Sequence, residues 1–183
     1  MNIFVLDENP HVAAQMMCDK HVVKMIVESA QMLSTAHRVL DGTEWTDYSK
    51  NGRRIKRWKS PYKLMEEMLY KASFVGHPCT QWVMENDKNY YWLVEHAYEL
   101  CKEYTRRYGK VHKSEDMISL IRFRKPKNIP IADSITPFAQ AMPEEYKNVN
   151  AVEAYRAYYL GEKTEFAAWN HSDTPAWYQE ELV

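Results

Sequence analysis

His21 and Glu28 stand seven residues apart in a stretch, residues 11–40, that holds neither Gly nor Pro. Seven residues fall about 20° short of two full α-helical turns, so both side chains leave one face. An imidazole and a carboxylate on a common wall can share proton transfer, or the carboxylate can stabilise a cationic centre in a reacting molecule. The ordinary fate of such a pair is solvation or a structural contact, because isolated motifs of this kind are weak. A second stretch with chemistry in it is residues 50–63, KNGRRIKRWKSPYK, with seven basic residues and no acidic one. Such a run repels itself unless an anion lies against it. Its Arg and Lys, interleaved with Trp58 and Tyr62, suit a phosphate backbone whose bases can stack on aromatics. His77, between Gly76 and Pro78, is a third candidate, on a loop.

The helix that must position the first pair runs over residues 11–40, with Met17, Val22, Met25, Ile26, Met32, Leu33 and Ala36 as its buried stripe. Residues 3–6 form a short extended segment pinning the chain's start to the body. Asp41-Gly42 ends the long helix, with Gly42 in the C′ position and His37 and Arg38 in the last turn, where positive charge suits the helix dipole. Residues 41–52 read as a loop. Further helices are expected over 61–74 (buried side Tyr62, Met65, Met68, Leu69), 78–108 (stopped by Gly109), 114–123 and 150–169. Asn150 with Glu153 resembles a capping box at the start of the last of these. Residues 124–137, rich in Pro, are an irregular connection, and Thr174-Pro175 starts a final turn carrying Trp177 and Tyr178. Tyr90, Tyr91, Trp92, Tyr98 and Tyr104 read mostly as core. With no strand pair evident, the expected fold is all-α, a single compact domain of irregularly packed helices.

The 183 residues can bury roughly 70% of their unfolded surface without metal or disulfide. Cys18, Cys79 and Cys101 are too scattered for a disulfide framework or a zinc site, so a reducing, cytoplasmic compartment is expected, with no metal and no cofactor. Nothing in the sequence reads as a signal peptide or a membrane span. No Gly-rich phosphate loop, nucleophile elbow or HExxH motif appears, which counts against nucleotide hydrolysis and zinc chemistry. The net charge of −1 alone argues against a polyanionic partner, but the basic run is a local feature that the sum conceals.

Asp19-Lys20-His21 followed by Glu28, the segment from Asn51-Gly52-Arg53-Arg54 to Ser60-Pro61, Gly76-His77, Pro143-Glu144-Glu145-Tyr146-Lys147 and Pro175-Ala176-Trp177-Tyr178 occur in that order. Together they resemble the small bacteriophage pyrimidine-dimer DNA glycosylase/AP lyases, the ultraviolet-repair enzymes of the endonuclease V type. The resemblance implies an all-helical single domain with double-stranded DNA as its partner, acting as a monomer and, if viral, in the cytoplasm of a host cell. It implies base flipping opposite the lesion and attack on C1′ by the N-terminal α-amine, giving an imine. Such amines titrate near 7.7–8.0 in peptides, so about a tenth is neutral at pH 7, far more than of any lysine.

On that resemblance Met1 and Glu28 are the expected catalytic residues, Met1 being retained because Asn2 is bulky. His21, Lys24, Gln31, Arg38 and His77 would bind substrate, Val27 and Gln31 standing where the family carries arginines. Arg53, Arg54, Lys56, Arg57, Lys59, Trp177 and Tyr178 would bind DNA. The alternative is a DNA-binding protein that keeps the glycosylase scaffold without its catalysis.

Overall fold

The computed structural model describes residues 1–180. The chain is mostly helical, with one hairpin: α1 (Pro10–Gln15), α2 (Asp19–Asp41), β1 (Thr43–Tyr48), β2 (Arg54–Lys59), α3 (Lys63–Met68), α4 (Pro78–Glu85), α5 (Asp87–Tyr108), α6 (Glu115–Ile121), α7 (Ala151–Glu162) and α8 (Ala176–Glu180). A 3-10 turn at Glu144–Tyr146 lies in the long connection before α7. The two long helices α2 and α5 pack on each other, α1 lies on α5, and α4 bridges both. Residues 3–6 are buried within this group and belong to the same apolar core as Met25, Ile26, Leu33, Leu93 and Leu100.

The single helix expected over residues 11–40 is instead two, broken at residues 16–18. No glycine or proline causes the break. The Arg107 guanidinium, buried on α5, donates to the carbonyls of Gln15 (2.9 Å) and Met17 (2.8 Å) and to Asp19 Oδ1 (3.1 Å). Trp169 Nε1 donates to the Met16 carbonyl, and Asp19 accepts the Asn170 N–H. These distant partners satisfy the backbone groups that an unbroken helix would have paired internally. A second unforeseen break falls at Asn86, whose extended backbone and side-chain oxygen cap the start of α5 by accepting from the N–H groups of Lys88 and Asn89. Gly109 closes α5 in the left-handed conformation, φ 64°. The Asn150 side chain caps α7 as expected, but that helix ends at Glu162 and not near Trp169.

The stretch expected as a loop followed by a basic segment is an antiparallel hairpin, which corrects the all-α expectation. Tyr48 pairs with Arg54 and Thr43 with Lys59, and the turn between them places Gly52 at φ 74°. Gly42 is not in the left-handed conformation. It is extended, and any Cβ there would collide with the carbonyl oxygens of Arg38 and Lys59, so glycine is required for close passage between α2 and β2.

One cation holds the hairpin's base to the body. Arg38, 4% exposed, donates to the carbonyls of Tyr70 (2.6 Å), Trp58 (3.0 Å), Glu66 (3.2 Å) and Leu69 (2.9 Å), and to the Glu66 carboxylate (2.7 Å). By taking the carbonyls after Met65 it ends α3 at Met68, six residues earlier than the apolar spacing suggests. Removing it leaves several backbone acceptors unpaired, so Arg38→Met should cost about 3–5 kcal/mol and lower Tm by on the order of 10 °C. A thermal melt within about 2 °C of wild type would show that the clamp does not hold the hairpin base.

Three histidines are buried as neutral rings. Burial lowers His21 and His96 to about 3 and His37 to about 4. Since the unfolded chain binds these protons near pH 6.5 and the folded chain does not, their contribution is present above that pH and is lost as pH falls. Between pH 7 and 5.5 urea unfolding should lose roughly 4 kcal/mol, just over 1 kcal/mol for each ring. His96, stacked on Trp92 with neither ring nitrogen hydrogen-bonded, tests this directly. His96→Phe should remove about a third of the loss; a variant with the full wild-type pH dependence would contradict the assignment.

Candidate active site

The buried segment at residues 3–6 fixes where the chain begins. Asn2 turns its side chain back, accepting from the N–H groups of Ile3 and Phe4 and donating to the Ala141 carbonyl at 2.8 Å. Phe4 then packs against His21 at a 33° tilt, ring centroids 4.4 Å apart, and edge-on against Tyr159. The start of the chain therefore lies along α2, with Phe4 beside His21 and Asn2 beside Glu28. The seven-residue spacing of His21 and Glu28 is the spacing of two contacts to one buried, irregular segment.

The Met1 α-amine is 3.5 Å from Glu28 Oε2, which also accepts the Asn2 N–H at 2.9 Å. The other carboxylate oxygen faces Lys24 Nζ at 3.6 Å. The Met1 side chain is buried, whereas the Glu28 side chain keeps 14% of its surface and Lys24 67%. A primary amine and a carboxylate thus meet at the surface, the amine's side chain anchored inward.

His77 completes the group. It caps α4 with Nδ1, which accepts the Cys79 N–H at 3.2 Å. Burial lowers its pKa, the neighbouring α-amine charge lowers it further, and Glu28 opposes the shift. A neutral ring accepting at Nδ1 carries its proton on Nε2, a donor with no partner among the described residues. Cys79, behind His77, is inert as a nucleophile, because burial pushes its thiol up to about 12 against the pull of Tyr155 and the α-amine.

The other expected substrate-binding residues divide. Gln31 lies on the same α2 face as Glu28, one turn on, its carbonyl accepting the Thr35 hydroxyl. His21 is 4% exposed, with Nδ1 2.6 Å from the Tyr159 hydroxyl, and is enclosed by Phe4, Tyr159 and Phe166. Its place is behind the site, holding the N-terminal segment. Arg38 is occupied by the clamp at the hairpin base and has no donor left to face a substrate.

Of the expected DNA-binding residues, Arg53, Arg54, Lys56 and Lys59 are exposed on the hairpin. The run is not without counter-charge, as its sequence suggests. The opposite strand supplies Glu44 to Lys56 (3.0 Å) and Asp47 to Arg57 (3.5 Å). Arg57 turns inward with Trp45, Asp47 and Trp58 over a cleft of about 300 Å³, closed on the body side by Arg38, Glu66, Leu69, Lys71 and Ala72. Trp177 and Tyr178 are docked, not presented: Tyr178 is 4% exposed against Trp169, and Trp177 packs on Tyr159 beneath Arg156. These rings close the C-terminal part over α7.

Asn2 and Tyr155 escaped the sequence reading. Both act through contacts with the chain's connection near residue 140, Asn2 to Ala141 and Tyr155 to Ala139 and Ala141, and no local spacing announces contacts over such separations. Among the described residues no three His, Cys, Asp or Glu side chains converge to hold a metal ion, and no helix is long and apolar enough to cross a membrane.

No curated protein and no solved structure matches the chain. The family model described as pyrimidine dimer DNA glycosylase matches residues 1–117, the part that supplies Met1, Glu28, His77 and the hairpin. The chain therefore belongs to the pyrimidine dimer DNA glycosylase family, whose substrate is DNA.

Proposed function

We propose that this chain removes a damaged or modified pyrimidine from double-stranded DNA and then cuts the strand, through an imine on its own N-terminal amine. The observation that carries the reading is the 3.5 Å approach of the Met1 nitrogen to Glu28, beside a neutral His77. An amine serves as nucleophile only once it has given up its proton, and Glu28 is the acceptor within reach. Were Met1 removed, the Asn2 nitrogen would become the amine, already 2.9 Å from the same oxygen.

In the first step the nitrogen bonds to C1′ while the bond to the base breaks, the electron pair leaving with the base. His77, near enough to the amine to feel its charge, offers Nε2–H as the donor to the departing base or the sugar. Opening of the sugar moves a proton to O4′ and leaves a C1′=N imine. Glu28 stabilises the positive charge that develops on the sugar, then takes the C2′ proton as the 3′ phosphate leaves. Lys50, Arg53, Arg54 and Lys59 on the hairpin hold the flanking phosphates, and Lys24 approaches the reacting one.

Borohydride added to the protein with ultraviolet-irradiated or abasic duplex DNA should give a covalent adduct on the N-terminal peptide, and its mass identifies Met1 or Asn2 as the bearer. Glu28→Gln should slow strand cleavage by about 10²–10⁴-fold and leave DNA affinity within a few fold. Binding without any trapped adduct, unchanged by Glu28→Gln, would overturn the enzyme in favour of a DNA-binding protein on the same scaffold.

A further inference from the structure

Among the described residues only Phe4 and Phe74 combine a side chain with positive φ, 42° and 50°. Such a backbone is strained for a bulky residue and persists only where the surroundings impose it. For Phe4 the surroundings are aromatic packing, and the residue is 5% exposed. Phe74 is 65% exposed and its ring meets no aromatic partner among the described residues.

What imposes the Phe74 conformation is the backbone on either side. The Thr35 hydroxyl accepts the Ser73 N–H (3.1 Å), and its single proton is shared between the carbonyls of Gln31 (2.8 Å) and Ser73 (3.2 Å). The Phe74 carbonyl accepts the His77 N–H at 2.9 Å, and the Val75 carbonyl accepts from Gln81 Nε2 at 2.6 Å. The loop is thus built rigidly on α2 and α4, and its product is a large apolar ring in water.

The position of that ring gives it a use. Thr35 follows Glu28 by seven residues on one face of α2, about 10 Å along the axis. His77, beside the α-amine, follows Phe74 by three residues. In the other direction Lys71 and Ala72 line the cleft under the hairpin. Along the chain Phe74 thus stands between residues that line the cleft under the hairpin and His77, which lies near the α-amine.

Resting on the reading that the chain acts on duplex DNA, we propose that Phe74 is an apolar wedge that enters the base stack beside the reacting nucleotide. The C1′ atom inside an intact, stacked duplex is shielded from an amine held at a protein surface, so the stack must be opened at the lesion. Apolar side chains inserted between base steps unstack and kink duplexes, and a rigidly mounted Phe performs this without ordering a flexible loop first.

The test uses a duplex with a pyrimidine dimer next to 2-aminopurine, and a single-stranded oligonucleotide with an abasic site. Phe74→Gly removes the ring and suits φ 50°, so Tm should hold or rise. Wild type should raise the 2-aminopurine fluorescence on binding. Phe74→Gly should lose most of that rise and cut the duplex lesion about 10–100-fold more slowly. Borohydride trapping on the single strand should stay within about twofold, since no stack has to be opened. Phe74→Trp should restore the fluorescence rise. Equal fluorescence and equal duplex rates in Phe74→Gly would overturn the wedge, as would an equal loss on single-stranded DNA. Wild type that traps no DNA at all would overturn the glycosylase reading instead, and the wedge would then stand or fall on whether the fluorescence rise requires Phe74.

Discussion

Burial of the chain's first residues against α2 is the constraint on which the site depends. An N-terminus is ordinarily the loosest part of a domain. Here residues 3–6 are almost fully enclosed, the Asn2 side chain is tied to Ala141, and Phe4 is wedged between His21 and Tyr159. With those contacts made, the amine has no freedom to lie elsewhere than beside Glu28. The geometry of the candidate site is therefore an outcome of core packing, and His21 contributes by filling that core rather than by facing the solvent.

Two buried guanidinium groups do comparable work elsewhere. Arg107 resolves the break between α1 and α2, and Arg38 resolves the end of α3 and the root of the hairpin. Each gathers carbonyls from segments distant in sequence, which the planar five-donor guanidinium does better than any other side chain. The irregular stretch from Leu69 to His77 can stay irregular because its backbone is satisfied by Arg38, Ser34 and Thr35 from α2. That stretch links the cationic hairpin to His77 and the N-terminal amine.

Local signals in the sequence carried much of this, and their failures have a common cause. The apolar stripe of α2, the Gly109 stop and the Asn150 cap depend on neighbours within a turn or two, and they could be read directly. The hairpin was not, although Asn51-Gly52 is a turn signal, because its strands bury little and their alternation is one of charge and aromaticity, not of hydrophobicity. The break before Asp19 was invisible for a different reason: its cause, Arg107, lies on another helix. Glu28 and the basic run were legible as candidates from residue type alone. That His21 and Arg38 serve the interior could come only from tertiary contacts, since a histidine or arginine on a helix carries no mark of which way it will be enclosed.

On the proposed reading that the hairpin holds DNA, its cross-strand acids bear on how strongly salt competes with that hold. Glu44 and Asp47 already partly neutralise Lys56 and Arg57, so a phosphate must compete with a resident carboxylate for those two cations. Fewer counterions are then released on contact than seven basic residues suggest, and the ionic-strength dependence of binding is shallower by about two charges. On the proposed reading, such a hold on undamaged sequence is weak. Residence is then left to the lesion itself, which suits the repair role proposed above.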